Sequence, residues 1–596
     1  MHSFRQGLAW LACVLCLVSR TNGKNLPGPV CFNLTLTWEV WAPAGIPRQM
    51  ILMNGQLPGP ALQLQQGDDV EFRVINRLPT DVTVHFHGID QSGTPWSDGT
   101  PGLSQKPIVP GGHFLYKWRA AHYGSYFYHA HSRGQVDDGL YGAIYIRPDD
   151  SVERPFRLIT NNTGELHAMQ AAEEMTKPVL LSDWRLLTSE ELWRAEEATG
   201  LDAYCVNALL INGKGSVTCP GKERLNELAS AEQKLILGNQ NLSDTGCISP
   251  MLASLQGTFP HNISEIPPSM FSGCMSGDGG TERLLVNSSG KYVSYDLISA
   301  AGISMATFSI DEHPMYVYAI DGRYIHPTLV DAVTIASGDR YSVLVKLDKP
   351  AGDYAIRVAN SGINQILNAT AMLTYDKLPK AQQHASVPSI GIQGSVVSPR
   401  YTLLDEATVI PFPIEAPSDK VAQTHILKLS HYGASYRWTL GDSSFPLSLE
   451  ATSPLLFNPS TAPPDLTIKT LNGTWIDLIF HVHGQIHPPH PIHKHANKFY
   501  VIGQGTGAWN YSSVAEAMQH IPKSFNLKTP QIRDTFVTPP SATEDTWLAI
   551  RYQVVNPGAW LLHCHIQVHL SGGMALALLD GVDKWPEIPH EYSIGY

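Results

Sequence analysis

The segment Gly558–His569 reads GAWLLHCHIQVH, with Cys564 between His563 and His565 and with His569 five residues past the cysteine. Thiolate and imidazole are ligands for soft and borderline transition metals, so these residue types at this spacing point to metal chemistry. On a β-strand successive side chains face opposite sides, so His563 and His565 share a face and Cys564 takes the other. One strand can then serve two metal sites, joined through the backbone of three consecutive residues. Further candidate ligands lie in His85-Phe86-His87-Gly88, His129-Ala130-His131 and His490-Pro491-Ile492-His493-Lys494-His495.

Two His, one Cys and a weak axial Met form the blue-copper set, in which the thiolate tunes the redox potential. Cys564 and His569 supply two of these ligands, His490 the second imidazole, and Met574, ten residues past the cysteine, the axial position. Eight clustered histidines remain: His85, His87, His129, His131, His493, His495, His563 and His565. They divide as two, three and three, enough for three more coppers. A lone His-x-His pair reads equally as packing, and Met574 alone as a core residue. A zinc hydrolase would need only four ligands and would leave most of these histidines without a role. The HVHG of His481–Gly484 imitates the first cluster, but the repeat described next aligns His490–His495 with His85–His87. His481, His483 and His487 are thereby left unassigned.

The elements that position these residues are strands. GSYFYHAH (Gly124–His131), GDYAIRVA (Gly352–Ala359) and GAWLLHCH (Gly558–His565) repeat one pattern. Ahead of them lie GDDVEFRVIN (67–76), SGDRYSVLVK (337–346) and GTWIDLIFHV (473–482), aligned here with one another. Short alternating strands with 49 Gly and 43 Pro fit three copies of a β-sandwich domain better than βαβ units. In the alignment Arg357, Val358 and Ala359 replace the histidines and cysteine, so the metal site belongs between copies one and three. The expected division is a signal peptide over 1–23, domain one over 24–150, and domain two over 151–378 with an insertion at about 216–285 and no metal ligands. A linker over 379–420 and domain three over 421–596 complete it.

A net charge of −12 with no basic stripe argues against a nucleic-acid partner. Residues 1–23 have the basic start, apolar run and small-residue end of a secretory leader, and no later run is long and apolar enough to span a membrane. Secretion also fits the eight sequons at Asn33, Asn161, Asn241, Asn262, Asn287, Asn368, Asn472 and Asn510. Loss of the leader leaves Cys31, Cys205, Cys219, Cys247 and Cys274 besides Cys564, an odd set whose disulfide pairing the sequence leaves open.

The chain resembles the three-domain multicopper oxidases, and among them the fungal laccases, through MNGQLPGP (53–60), HFHGIDQSGTPWSDG (85–99), GSYFYHAHSRGQVDDGLYG (124–142), FSIDEHP (308–314), HPIHKH and HCHIQVHLSGGM. The insertion, with PPSMFSGC (267–274), is similar to that of ascomycete conidial-pigment laccases. The resemblance implies an all-β fold of three cupredoxin-like Greek-key sandwiches and four coppers. Cys564, His490, His569 and axial Met574 would hold the type 1 ion, and His85 and His493 the type 2 ion. His87, His129 and His565 would hold one type 3 ion, and His131, His495 and His563 the other. Implied too is a secreted monomer, cell-wall or spore-surface associated. It would oxidise phenolic or polyphenolic substrates in one-electron steps and reduce dioxygen to two waters, with a role in melanin-like pigment polymerisation. Asp98 matches an acidic residue near the cluster in laccases, where a carboxylate could relay protons to oxygen; its competing reading is a turn cap before Gly99. Ascorbate-oxidase-like or metal-oxidising activity, and a non-catalytic electron-transfer protein, are the alternatives.

Departures from the family pattern carry their own expectations. Ile303 stands where many laccases carry a phenol-binding acid. Met574 replaces Leu or Phe and implies a low-to-moderate potential. Lys106 replaces the Cys of an interdomain disulfide. Lys494 and Ala496 alter the H-L-H-G motif, and the tail lacks a plug sequence. The insertion is read as a disulfide-stapled, glycosylated surface loop, with a lid over the substrate site as the other possibility.

Overall fold

The computed structural model describes residues 28–593 except 288, 376–384, 484–486 and 542. The leader expected over 1–23, the start of the expected linker and the last three residues lie outside the described residues. Three double-layered β-units follow one another. In the first, Arg48–Met53, Val30–Trp41, Asp69–Arg77 and His113–Arg119 form one sheet, and Leu62–Gln65, Tyr141–Arg147, Gly124–Ala130 and Val84–His87 the other. Alternation builds the core: in Asp69–Arg77, Val70, Phe72 and Val74 point inward while their neighbours are more exposed.

The second and third units repeat this order with extra edge strands. Their second sheets are centred on Asn368–Tyr375, Asp353–Asn360 and Ala306–Ile310, and on Ala575–Asp580, Gly558–Cys564 and Pro491–Lys494. The three Gly-aromatic segments therefore occupy one strand position. Register makes the equivalence residue by residue: His85 faces His129, Ser309 faces Arg357 and His493 faces His563. In the middle unit the Arg357 guanidinium donates to both carboxylate oxygens of Asp311 at 2.8 Å, an ion pair where the outer units place histidines.

One part of the alignment is corrected. In each unit a parallel strand pair is followed by an antiparallel partner, and the second member of the pair is Asp69–Arg77, Tyr292–Ser299 and Trp475–Val482. SGDRYSVLVK instead contributes Arg340–Lys346, the antiparallel partner, equivalent to His113–Arg119 and Thr546–Gln553. The true counterpart of GDDVEFRVIN begins at Gly290. In the second unit Gly-Asp stands at the head of both Arg340–Lys346 and Asp353–Asn360 but not of Tyr292–Ser299, so the turn signal points to the wrong strand.

Cys205 bonds Cys247 and Cys219 bonds Cys274. The insertion is stapled as expected, but it is more than a surface loop. Met270 and Phe271 pack with Trp438 and Trp560 of the third unit in one buried cluster, and His261 Nε2 of the insertion lies 2.8 Å from Ser435 Oγ of the third unit. All eight sequon asparagines are exposed. Among the described residues no helix is long and apolar enough to cross a membrane.

Candidate metal centres

The structure brings eight of the ten clustered histidines into one buried chamber between the first and third units. His85 and His87 lie on Val84–His87, His129 is the penultimate residue of the facing strand Gly124–Ala130 and His131 follows that strand; His493, His495, His563 and His565 come from the third unit. Seven of these eight residues are no more than 1% exposed, and the eighth, His131, is 6% exposed. The ligand-capable nitrogens converge in the groups His85–His87–His493, His87–His129–His565 and His131–His495–His563. On the opposite face of the same strand, Cys564 Sγ lies 3.8 Å from His490 Nδ1 and 3.7 Å from His569 Nδ1, and these two nitrogens are 3.2 Å apart. Met574 is fully buried, its N–H donating to the His569 carbonyl and its carbonyl accepting from Cys564 N–H.

Ring by ring, one nitrogen is held and the other is turned inward. His85 Nδ1 donates to the Asp98 carbonyl at 2.6 Å, His129 Nδ1 to the Ala130 carbonyl at 2.8 Å and His493 Nδ1 to the Asp534 carbonyl at 2.8 Å. The Nε2 atoms of these three rings are buried with no hydrogen-bond partner, as are those of His131 and His490. His495 Nδ1 faces Asp98 Oδ2 at 2.9 Å and His563 Nδ1 donates to the Cys564 carbonyl at 2.8 Å. Both Nε2 atoms then carry lone pairs, and they face each other at 3.2 Å. The same holds across the chamber. His565 Nδ1 donates to Ser337 Oγ at 2.7 Å, and His87 Nε2 to Thr535 Oγ1 at 3.1 Å. That leaves His565 Nε2 and His87 Nδ1 opposed at 3.2 Å.

Lone pairs aimed at each other across buried space repel unless a cation lies between them, so the donor set fits metal ions. Protonation electrostatics agree. Burial pushes His87, His129, His131, His490, His493, His563 and His565 well below the ordinary histidine range, and His495 down to about 4. Neutral rings offer lone pairs; imidazolium would not. Burial also pushes the Cys564 thiol up, so a cation binding there must displace its proton. The paired soft thiolate and imidazoles favour copper at this position, and the all-imidazole chamber accepts it as well.

Several supporting residues escaped the sequence reading. Asp534, fully buried, receives Arg340 on both oxygens at 2.5 and 2.7 Å and Lys498 Nζ at 2.5 Å, while its backbone carbonyl orients His493. Burial alone would raise its carboxyl; Arg340 and Lys498 outweigh that and hold it well below the usual range. Arg533 extends the network to Asp321 at 2.7 Å and Asp339 at 2.9 Å. The middle unit thus holds the chamber without supplying a ligand. Gly338, at φ +90°, lies so close that a side chain there would press on the His565 and His87 rings at 3.1 Å. Removing one partner of a buried ion pair strands the other charge. Arg340→Leu is therefore expected to destabilise the fold by about 3–5 kcal/mol, read as a lowered denaturation midpoint; an unchanged midpoint would show the network to be dispensable.

Asp98 is fully buried. Its Oδ2 accepts from Thr100 Oγ1 at 2.6 Å and from His495, and its Oδ1 lies 3.3 Å from His85 Nδ1. Burial would raise this carboxyl, but His495 and His85 beside it hold it well below its ordinary value. Lys494, between two chamber histidines in sequence, points the other way by strand parity. It is buried, donates to the His495 and Asn497 carbonyls at 3.1 Å and sits 4.4 Å over the Tyr552 ring. Of the unassigned histidines, His487 lies near His490 with ring centroids 6.0 Å apart and planes tilted by 56°, whereas His481 and His483 turn to Asp545.

A largely apolar pocket opens at His569, lined by Leu255 of the insertion, Ile303, Met305, Trp438 and Asp202. Ile303 does occupy the pocket wall, and the carboxylate comes from elsewhere. Asp202, 4% exposed, places Oδ2 3.4 Å from His569 Nε2 while its buried Oδ1 has no hydrogen-bond partner.

Three multicopper oxidase family models match residues 35–151, 176–378 and 439–584. The chain is 43% identical to Laccase abr2 of Aspergillus fumigatus, across 94% of this chain and 95% of that protein. It is 42% identical to Multicopper oxidase MCE of Talaromyces pinophilus, across 94% of both. Among solved structures, the laccase from Botrytis aclada superposes with a TM-score of 0.68 at 25% identity, covering 94% of this chain and 89% of that one. A strand that carries a cysteine on one face and chamber histidines on the other, repeated sandwiches and full-length similarity converge on one conclusion: the chain belongs to the multicopper oxidases, copper-dependent oxidoreductases that include the fungal laccases.

Proposed function

We propose that this enzyme is a secreted laccase that oxidises phenolic or polyphenolic compounds, with pigment precursors as the substrate class, and reduces dioxygen to two waters. Four coppers would be held: one by Cys564, His490, His569 and Met574, one by His85 and His493, one by His87, His129 and His565, and one by His131, His495 and His563. Bound copper would supply one-electron acceptance at the cysteine centre and four-electron reduction of dioxygen in the chamber. The observation that carries the reading is the shared strand. Cys564 faces the pocket-side histidines, while its covalent neighbours His563 and His565 face the chamber.

The chain's own residues divide the remaining work. Ile303, Met305 and Trp438 exclude water around an aromatic ring brought to His569. Asp202 Oδ1 is available to accept the phenol's proton, while Oδ2 stays near His569 Nε2. In the chamber, the Asp98 carboxylate accepts from His495 Nδ1 and Thr100 Oγ1 and is placed to pass a proton between them. A cleft lined by His131, Arg133 and Gln567 offers dioxygen an approach. Exposed sequons support passage through the secretory route.

Oxygen uptake by copper-loaded enzyme with polyhydroxylated aromatics is the test. Uptake driven by ascorbate or ferrous ion, with none from any phenol, would replace this reading with the corresponding alternative. Asp202→Asn keeps the size but loses the charge, and hydrogen bonds to charged groups contribute about 1.5–3 kcal/mol. The expected result is a KM for phenols raised about 10-fold or more, with the blue absorption retained; an unchanged KM would remove Asp202 from the substrate site.

A further inference from the structure

His481 and His483 belong to neither copper set, yet their placement is not incidental. His481 lies on Trp475–Val482, paired antiparallel with Thr546–Gln553, and the last paired residues are Val482 and Thr546. One step further along this ladder come His483 and Asp545, opposite each other, and strand parity puts His481 on the same face as His483. The side chains converge accordingly. His481 Nε2 lies 3.0 Å and His483 Nδ1 2.8 Å from one oxygen, Asp545 Oδ2. The His481 and Asp545 side chains are 11% and 16% exposed, and His483 is 67% exposed, so the group is anchored on one side and open to solvent on the other. The His483 carbonyl also accepts from His487 Nε2 at 3.2 Å, which fixes the backbone at the open end.

We propose that His481, His483 and Asp545 form a solvent-facing site for a first-row divalent cation, separate from the copper centres. Two imidazoles and one carboxylate on one face form a three-ligand set that leaves positions for water, and imidazole favours zinc, copper and nickel over magnesium or calcium. The chain's net charge of −12 favours cation approach. The site depends on no property of the substrate pocket or of the chamber.

Copper-loaded protein cleared of loose metal on a chelating resin, then titrated with Zn2+ alone by calorimetry, tests this. The expected result is one Zn2+ bound per chain, with His483→Ala and Asp545→Asn each weakening binding at least about 10-fold. His122→Ala removes an exposed histidine that pairs with a single carboxylate, Asp90 at 3.0 Å, and should leave Zn2+ binding unchanged. Unaltered blue absorption and melting temperature in each variant would show that the fold is intact. No Zn2+ uptake by the parent protein, or undiminished uptake by both site variants, would reduce the cluster to a hydrogen-bonded His–Asp network and overturn the proposal.

Discussion

Cys564→Ser is expected to abolish the blue absorption and to lower substrate oxidation at least about 1000-fold, equivalent to about 4 kcal/mol of barrier. The substitution is nearly isosteric, and Cys564 packs in a fully buried strand beside Ile492, so the fold should persist. What changes is chemistry: a hydroxyl is a hard, weakly acidic donor where the thiolate is soft. His563 and His565 keep their chamber contacts, because parity places them on the opposite face. The variant should therefore lose one copper and keep three. Retention of colour, or of more than a tenth of the rate, would contradict the assignment of this cysteine.

Asp98→Asn should separate the two halves of the reaction. The amide oxygen can replace Oδ2 and accept from both His495 Nδ1 and Thr100 Oγ1, but its NH2 then faces His85 Nδ1, and the uncharged group can no longer relay a proton for dioxygen. Oxygen uptake should fall about 100-fold, the usual scale for a general acid. Anaerobic bleaching of the blue colour by a phenol should proceed at the parent rate, because Cys564 and the His569 pocket are untouched. Full copper content with undiminished oxygen uptake would leave Asp98 as a turn cap before Gly99.

The ligand candidates were legible in the sequence because strand geometry has a period of two, so HCH and HAH state their own facing. The internal repeat was legible for the same reason: Gly-aromatic turns recur where the same strand begins. Its misaligned middle segment shows the limit, since Gly-Asp turns are local and mark neighbouring strands alike. Asp202, Arg340 and Asp534 were not legible. Arg340 and Asp534 are 194 residues apart in sequence and meet only across the interface of the second and third units. Lys494 looked like a disruption of the histidine motif; parity turns it away from the chamber to cap carbonyls instead. Disulfide pairing needed geometry as well, because the five cysteines outside the copper set allow many pairings by count alone.

Metal content per chain bears on the whole scheme at once. Protein expressed with copper, passed over a chelating resin and analysed for copper and zinc by elemental mass spectrometry should hold four coppers, roughly three after Cys564→Ser. One copper per chain would confine the metal to the Cys564 site and leave an electron-transfer protein; zinc in place of copper would contradict the assignment altogether.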